Sequence, residues 1–167
     1  SEMQVISEVP YYPGGPTFDA YLPKDGKALH PALIMVHGGG WAGGDMLEFA
    51  PFAAQAATDQ HWAAFAVNYR LDVNDTSAWA DELHDVQAAI RYIVSEATTY
   101  GIDPANVLLM GDSAGANLAA LVSEVGTANP ITGSAVGADQ STDVPIRAVA
   151  LWSPPVDLAD LVGQGGK

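Results

Sequence analysis

Val107-Leu108-Leu109-Met110-Gly111-Asp112-Ser113-Ala114-Gly115-Ala116-Asn117-Leu118-Ala119-Ala120-Leu121-Val122 is the stretch that decides the fold. Four apolar residues run into a G-D-S-A-G turn, after which Leu118, Leu121 and Val122 recur at helical spacing, so the stretch reads strand, sharp turn, helix. A G-x-S-x-G string is a weak pattern alone and a strong one in that setting. Small residues at Gly111 and Gly115 let strand and helix approach closely, which predicts a strained turn at Ser113 with its hydroxyl projecting from the sheet edge. The helix N-terminus behind it would favour developing negative charge. Serine is also favoured as a plain helix N-cap, and this stretch by itself leaves both roles open.

Outward from this stretch, residues 32–36 (ALIMV) and 62–68 (WAAFAVN) are apolar runs too short for helices, which suits strands buried on both faces of a parallel sheet. Residues 146–152 (IRAVALW) read as a fourth buried strand. Residues 8–12 and 17–22 predict an opening hairpin around Pro13-Gly14-Gly15-Pro16. Asp45 stands as the N-cap of a helix over about 46–59 that carries Pro51 early, where proline is least harmful. Leu83, Val86, Ile90, Ile93 and Val94 predict the longest helix, over about 77–98, and residues 127–143 read as a surface insertion. Strands alternating with helices mean an α/β fold with a mostly parallel, doubly wound sheet, whose sites lie at the carboxyl ends of strands. No repeat or linker divides residues 1–167, which read as part of one domain.

The carboxyl end of the 32–36 strand carries His37-Gly38-Gly39-Gly40-Trp41. Acyl transfer needs two or three backbone N–H groups aimed at one oxyanion, and glycines permit the dihedrals and close approach this demands. The expected donors are Gly38, Gly39 and the amide of Ala114. Gly40 is expected to support the loop or to line the substrate site. Asp112 reads as a hydrogen-bonding support of the turn. Trp41 either walls a substrate pocket or packs on the sheet, and Arg70 is expected to pair with Asp85 or with solvent.

Composition narrows the alternatives. With 20 acidic against 6 basic side chains the net charge is −14, which leaves no basic stripe for nucleic acid or an anionic membrane surface. No stretch approaches the roughly 18 apolar residues of a membrane helix, so no membrane insertion is expected. The absence of cysteine removes disulfides, thiolate metal sites and a cysteine nucleophile, and no motif calls for a metal or cofactor.

HGGGW at 37–41, GGD at 43–45, NYRL at 68–71, GIDPANVLLMGDSAGANLA at 101–119 and SPPVDL at 153–158 together resemble the N-terminal part of an α/β-hydrolase of the hormone-sensitive-lipase and small-carboxylesterase group. The W-A-G-G-D continuation is also similar to formamidases and to feruloyl and acetyl esterases. The resemblance implies the α/β-hydrolase fold, an ester substrate, no cofactor, and a serine acyl-enzyme on Ser113. In the family His37 holds the glycine loop by hydrogen bonding.

In this fold the triad runs serine, acid, histidine along the chain, yet His30, His37, His61 and His84 all precede Ser113. Without an imidazole in reach, the hydroxyl keeps its alcohol pKa and is a poor nucleophile. The glycine-rich residues 163–167 read as a loop, and a sheet stopping at 146–152 would leave an apolar parallel edge unpaired. These features predict that a missing C-terminal segment, or a second polypeptide carrying the C-terminal half of the domain, supplies the histidine and the acid; Asp157 would be the acid of a variant arrangement. The competing expectation is a ligand-binding or receptor module on a hydrolase scaffold, without turnover.

Overall fold

A computed structural model describes residues 2–73, 80–128, 136–137 and 139–157. Its strands are β1 (Met3–Pro10), β2 (Thr17–Pro23), β3 (His30–Val36), β4 (Ala63–Val67), β5 (Ile102–Asp112) and β6 (Ile146–Trp152); its helices are α1 (Ala50–Asp59), α2 (Asp81–Ser95), α3 (Ala97–Tyr100) and α4 (Ala114–Val125). The strands form one sheet in the order β1-β2-β4-β3-β5-β6. The pairs β1/β2 and β2/β4 are antiparallel, whereas β4, β3, β5 and β6 run parallel. From β3 the chain crosses to β4 on one side and later returns to β5 on the other. That reversal puts a crevice at the carboxyl ends of β3 and β5, where open α/β sheets bind ligands.

Both faces of the central strands β3 and β4 are covered, as their apolar runs predict. Ala32, Ile34 and Val36 meet Leu83, Val86 and Ile90 of α2 and Leu118 and Val122 of α4 in the larger core. Leu33 and Met35, pointing the other way by the two-residue period of a strand, meet Ala53, Ala56 and Ala57 of α1.

Several expectations need correction. The first strand lies at Met3–Pro10 rather than 8–12, because a bulge between Ile6 and Val9 interrupts the pairing. There Glu8 takes φ 56°, and its N–H donates to Asp19 Oδ1 at 2.8 Å. The helix expected over 46–59 opens with a separate 3-10 turn, Met46–Phe49, which Asp45 and Glu48 cap reciprocally. The helix expected over 77–98 is interrupted at Glu96, giving α2 and the short α3; its expected start at Ser77 lies outside the described residues. The 127–143 segment is not simply a surface insertion. Thr127 is fully buried, and its N–H and hydroxyl donate to Asp143 Oδ1. Arg91 of α2 holds the same segment through the carbonyls of Thr127 and Val136. Residues 129–135 and 138 of that segment, and the glycine-rich 163–167, lie outside the described residues.

The largest correction concerns β6, which was expected to be buried. Ile146 and Val149 pack on the core, but Arg147, Ala148, Ala150, Leu151 and Trp152 are exposed, Trp152 at 64%. β6 is the edge of the sheet, and among the described residues β5 is its one strand neighbour.

Candidate active site

Ser113 joins β5 to α4 with φ 52° and ψ −116°. A serine has no steric licence for this left-handed backbone, so the surrounding structure must hold it. Ser113 N–H donates to the Trp152 carbonyl at 2.8 Å, and the Ser113 carbonyl accepts the first helical hydrogen bond, from Asn117 N–H at 3.0 Å. The two glycines of the turn allow an approach that any side chain would block. A Cβ on Gly111 would lie 2.2 Å from the Gly115 carbonyl oxygen, and one on Gly115 would lie 2.1 Å from that of Val36. Although Ser113 occupies the N-cap position, its side chain makes no capping hydrogen bond. The plain N-cap reading fails on this point.

The glycine loop lies across from the turn because β3 and β5 are neighbours in register, with Val36 opposite Gly111. Gly38 is packed against the turn so closely that a Cβ on it would sit 3.2 Å from both Ser113 Cβ and Asp112 Oδ2. Gly39, at φ 118°, starts a tight turn whose carbonyl accepts the Gly43 N–H at 3.0 Å. Gly40 continues it at φ 61°. The structure therefore brings Gly38 and Gly39 to the same end of the sheet as Ser113 and Ala114.

His37 is hydrogen-bonded to this loop. The ring is 1% exposed, its Nδ1–H donates to the Gly38 carbonyl at 2.7 Å, and it stacks on Tyr69 at 4.4 Å and 13°. Burial pushes its pKa below the ordinary histidine value, against the pull of the Gly38 carbonyl and the carboxylates of Glu48 and Asp45, so the ring is held neutral. Trp41 is partly buried and packs against the larger core. Asp112 departs from expectation: among the described residues its carboxylate has no hydrogen-bond partner. Instead it lines a cleft of about 300 Å³ with Glu48, Phe49 and Trp152.

Arg70 does pair with Asp85, which is fully buried on α2. Asp85 accepts from Arg70 Nε at 3.0 Å and Nη2 at 3.0 Å, from the Arg70 N–H at 2.8 Å, and from the Tyr12 hydroxyl at 2.8 Å. This network anchors the segment after β4 and with it Tyr69, which stands within the NYRL stretch without an expected role. Its aromatic ring next to a charged pair was the available signal.

The other histidines stand elsewhere. His30 and His61 flank Asp25 at the amino-terminal ends of β3 and β4, with His30 Nε2 at 3.4 Å and His61 Nδ1 at 3.0 Å from its carboxylate. His84 is buried in α2. Among the described residues no side chain hydrogen-bonds to the Ser113 hydroxyl, and no group of three or more acidic or histidine side chains is placed to hold a metal ion. No described helix is long and apolar enough to cross a membrane.

Comparison with known proteins gives the site its family. Residues 18–166 match the family model described as BD-FAE. Mouse (Mus musculus) arylacetamide deacetylase is 33% identical over 107 residues, which are 62% of this chain and 27% of that protein. Carboxylesterase NlhH of Mycobacterium tuberculosis is 30% identical over 95 residues, 57% of this chain and 29% of that protein. Among solved structures, esterase B from Lactobacillus rhamnosis superposes with a TM-score of 0.79 at 26% identity, covering 98% of this chain and 51% of that one. The chain thus spans less than a third of these curated relatives and about half of the solved esterase. The expected resemblance to α/β-hydrolase carboxylesterases is borne out, and the chain belongs to the BD-FAE family.

Proposed function

We propose that this chain is the nucleophile-bearing part of a serine carboxylic-ester hydrolase. Ser113 Oγ attacks the ester carbonyl and passes its proton to a base. The carbonyl oxygen becomes an oxyanion held by the N–H groups of Gly38, Gly39 and Ala114. Collapse expels the alcohol, which takes the proton, and water then releases the acid from the Ser113 ester. Each oxyanion donor in such a site is worth about 3 kcal/mol in the transition state. The observation that carries the reading is the left-handed turn at Ser113, whose side chain makes no capping hydrogen bond and whose Cβ lies beside Gly38.

The base and its acid partner are proposed to come from a polypeptide segment beyond these 167 residues, on the same or a second chain, that pairs along β6. Three observations support this: every histidine precedes Ser113, none of the four contacts its hydroxyl, and β6 presents an exposed edge. The chain alone should then accelerate hydrolysis of p-nitrophenyl acetate at most about 10³-fold over water, the residue left when an oxyanion hole acts without a triad. Joining the completing segment should raise turnover far above that, and Ser113→Ala should remove the gain. Full esterase turnover by the verified 167-residue chain would overturn the completion, and turnover surviving Ser113→Ala would overturn the nucleophile.

A further inference from the structure

From the contacts around the glycine loop we infer that Tyr69 is a positioning residue for the oxyanion donors, an inference that rests on the oxyanion role proposed for Gly38 and Gly39. The Tyr69 hydroxyl donates to the His37 carbonyl at 2.9 Å, and the His37 Nδ1–H donates to the Gly38 carbonyl at 2.7 Å. A trans peptide is planar, with its C=O and N–H pointing in opposite directions. The His37 carbonyl shares its peptide plane with the Gly38 N–H, and the Gly38 carbonyl shares its plane with the Gly39 N–H. Fixing those two carbonyls therefore aims the two N–H groups. Tyr69 fixes the first directly, and by stacking on the imidazole it also holds the donor that fixes the second.

Tyr69 is itself immobilised. It is buried, and the carbonyl of Asn68 before it accepts the Tyr11 hydroxyl at 2.8 Å. The N–H of Arg70 after it donates to the buried Asp85 carboxylate at 2.8 Å. A glycine loop has little rotational preference of its own, so orientation must be imposed from outside. Preorganised donors stabilise a transition state because they need no reorganisation when charge develops. The hydrogen bond and the stack made by Tyr69 meet that need.

The test uses the catalytically complete hydrolase. Tyr69→Phe keeps the stack and removes one hydrogen bond, so kcat should fall about tenfold while KM stays within about twofold. Affinity for an alkyl boronic acid, which forms a charged tetrahedral adduct on the serine, should fall by the same factor. p-Aminophenylalanine at position 69, which restores a donor, should recover most of kcat. A folded Tyr69→Phe variant with wild-type kcat and boronate affinity overturns the inference, as does a loss confined to KM or to melting temperature. If Tyr69→Phe does not fold, 3,5-difluorotyrosine at 69 changes the acidity of the hydroxyl alone; kcat must then shift with KM constant, and an unchanged kcat is fatal. An active Ser113→Ala variant would instead defeat the underlying hydrolase reading, so the two failures are distinguishable.

Discussion

Replacing Gly115 by alanine adds one methyl where α4 crosses the end of β3. That Cβ would lie 2.1 Å from the Val36 carbonyl oxygen, 2.4 Å from the His37 carbonyl oxygen and 2.6 Å from the Val36 carbonyl carbon. All three neighbours are backbone, and a carbon needs about 3.3 Å from a carbonyl oxygen. The helix must therefore move out by roughly 1.2 Å, opening the contacts of Ala116, Leu118, Ala119 and Val122, which α4 buries. Overpacking of this kind costs about 3 kcal/mol at its upper range, and alanine in a helix returns about 1 kcal/mol relative to glycine. The net loss is about 2 kcal/mol, a fall in melting temperature of about 4–8 °C for a chain of this length. Gly40→Ala is the control. It has nothing within 4 Å of its added Cβ and carries only the strain of φ 61°, about 1 kcal/mol. Urea denaturation followed by circular dichroism measures both. A Gly115→Ala chain as stable as the parent, or more stable than Gly40→Ala, would refute the close-approach reasoning.

Asp85→Asn should destabilise by about 3 kcal/mol, the lower end for breaking a buried ion pair, because Arg70 is partly exposed while Asp85 is not; a urea-derived loss below about 1 kcal/mol contradicts the network. His37 should make stability pH-dependent in a defined direction. Burial lowers its folded-state pKa, so its contribution is fully present above the ordinary value of about 6.5 and is lost as pH falls through the depressed folded value. The urea midpoint should therefore drop between pH 7 and pH 5 more steeply in the parent than in His37→Gln, and equal slopes would remove His37 as the cause. Hydrogen exchange at β6 should slow when the completing segment is joined, and an unchanged β6 rules out pairing there.

Much of this architecture is legible in the residues. The runs at 32–36 and 107–110 have to be strands because they are too short and too uniformly apolar for surface helices, and their glycine-rich ends mark the crevice. The same logic failed at β6. IRAVALW is as apolar as the buried runs, and composition cannot distinguish a strand with two neighbours from one at an edge. At the amino terminus the alternation of β1 is broken by a bulge, which moved the expected strand by several residues. In the site, Ser113 and the HGGG loop stand out because their backbone demands restrict residue type. The service of Tyr69 does not, since it depends on a stack between residues 32 positions apart and on a tyrosine that reads locally as ordinary core.

The central claim is that the hydroxyl at the left-handed turn is the reacting atom. Treating the completed hydrolase with a fluorophosphonate and locating the adduct by peptide mass spectrometry tests it most directly. The account predicts one equivalent of label on Ser113, lost in Ser113→Ala and slowed in Tyr69→Phe. Label on any other residue, or label that persists unchanged in Ser113→Ala, contradicts it.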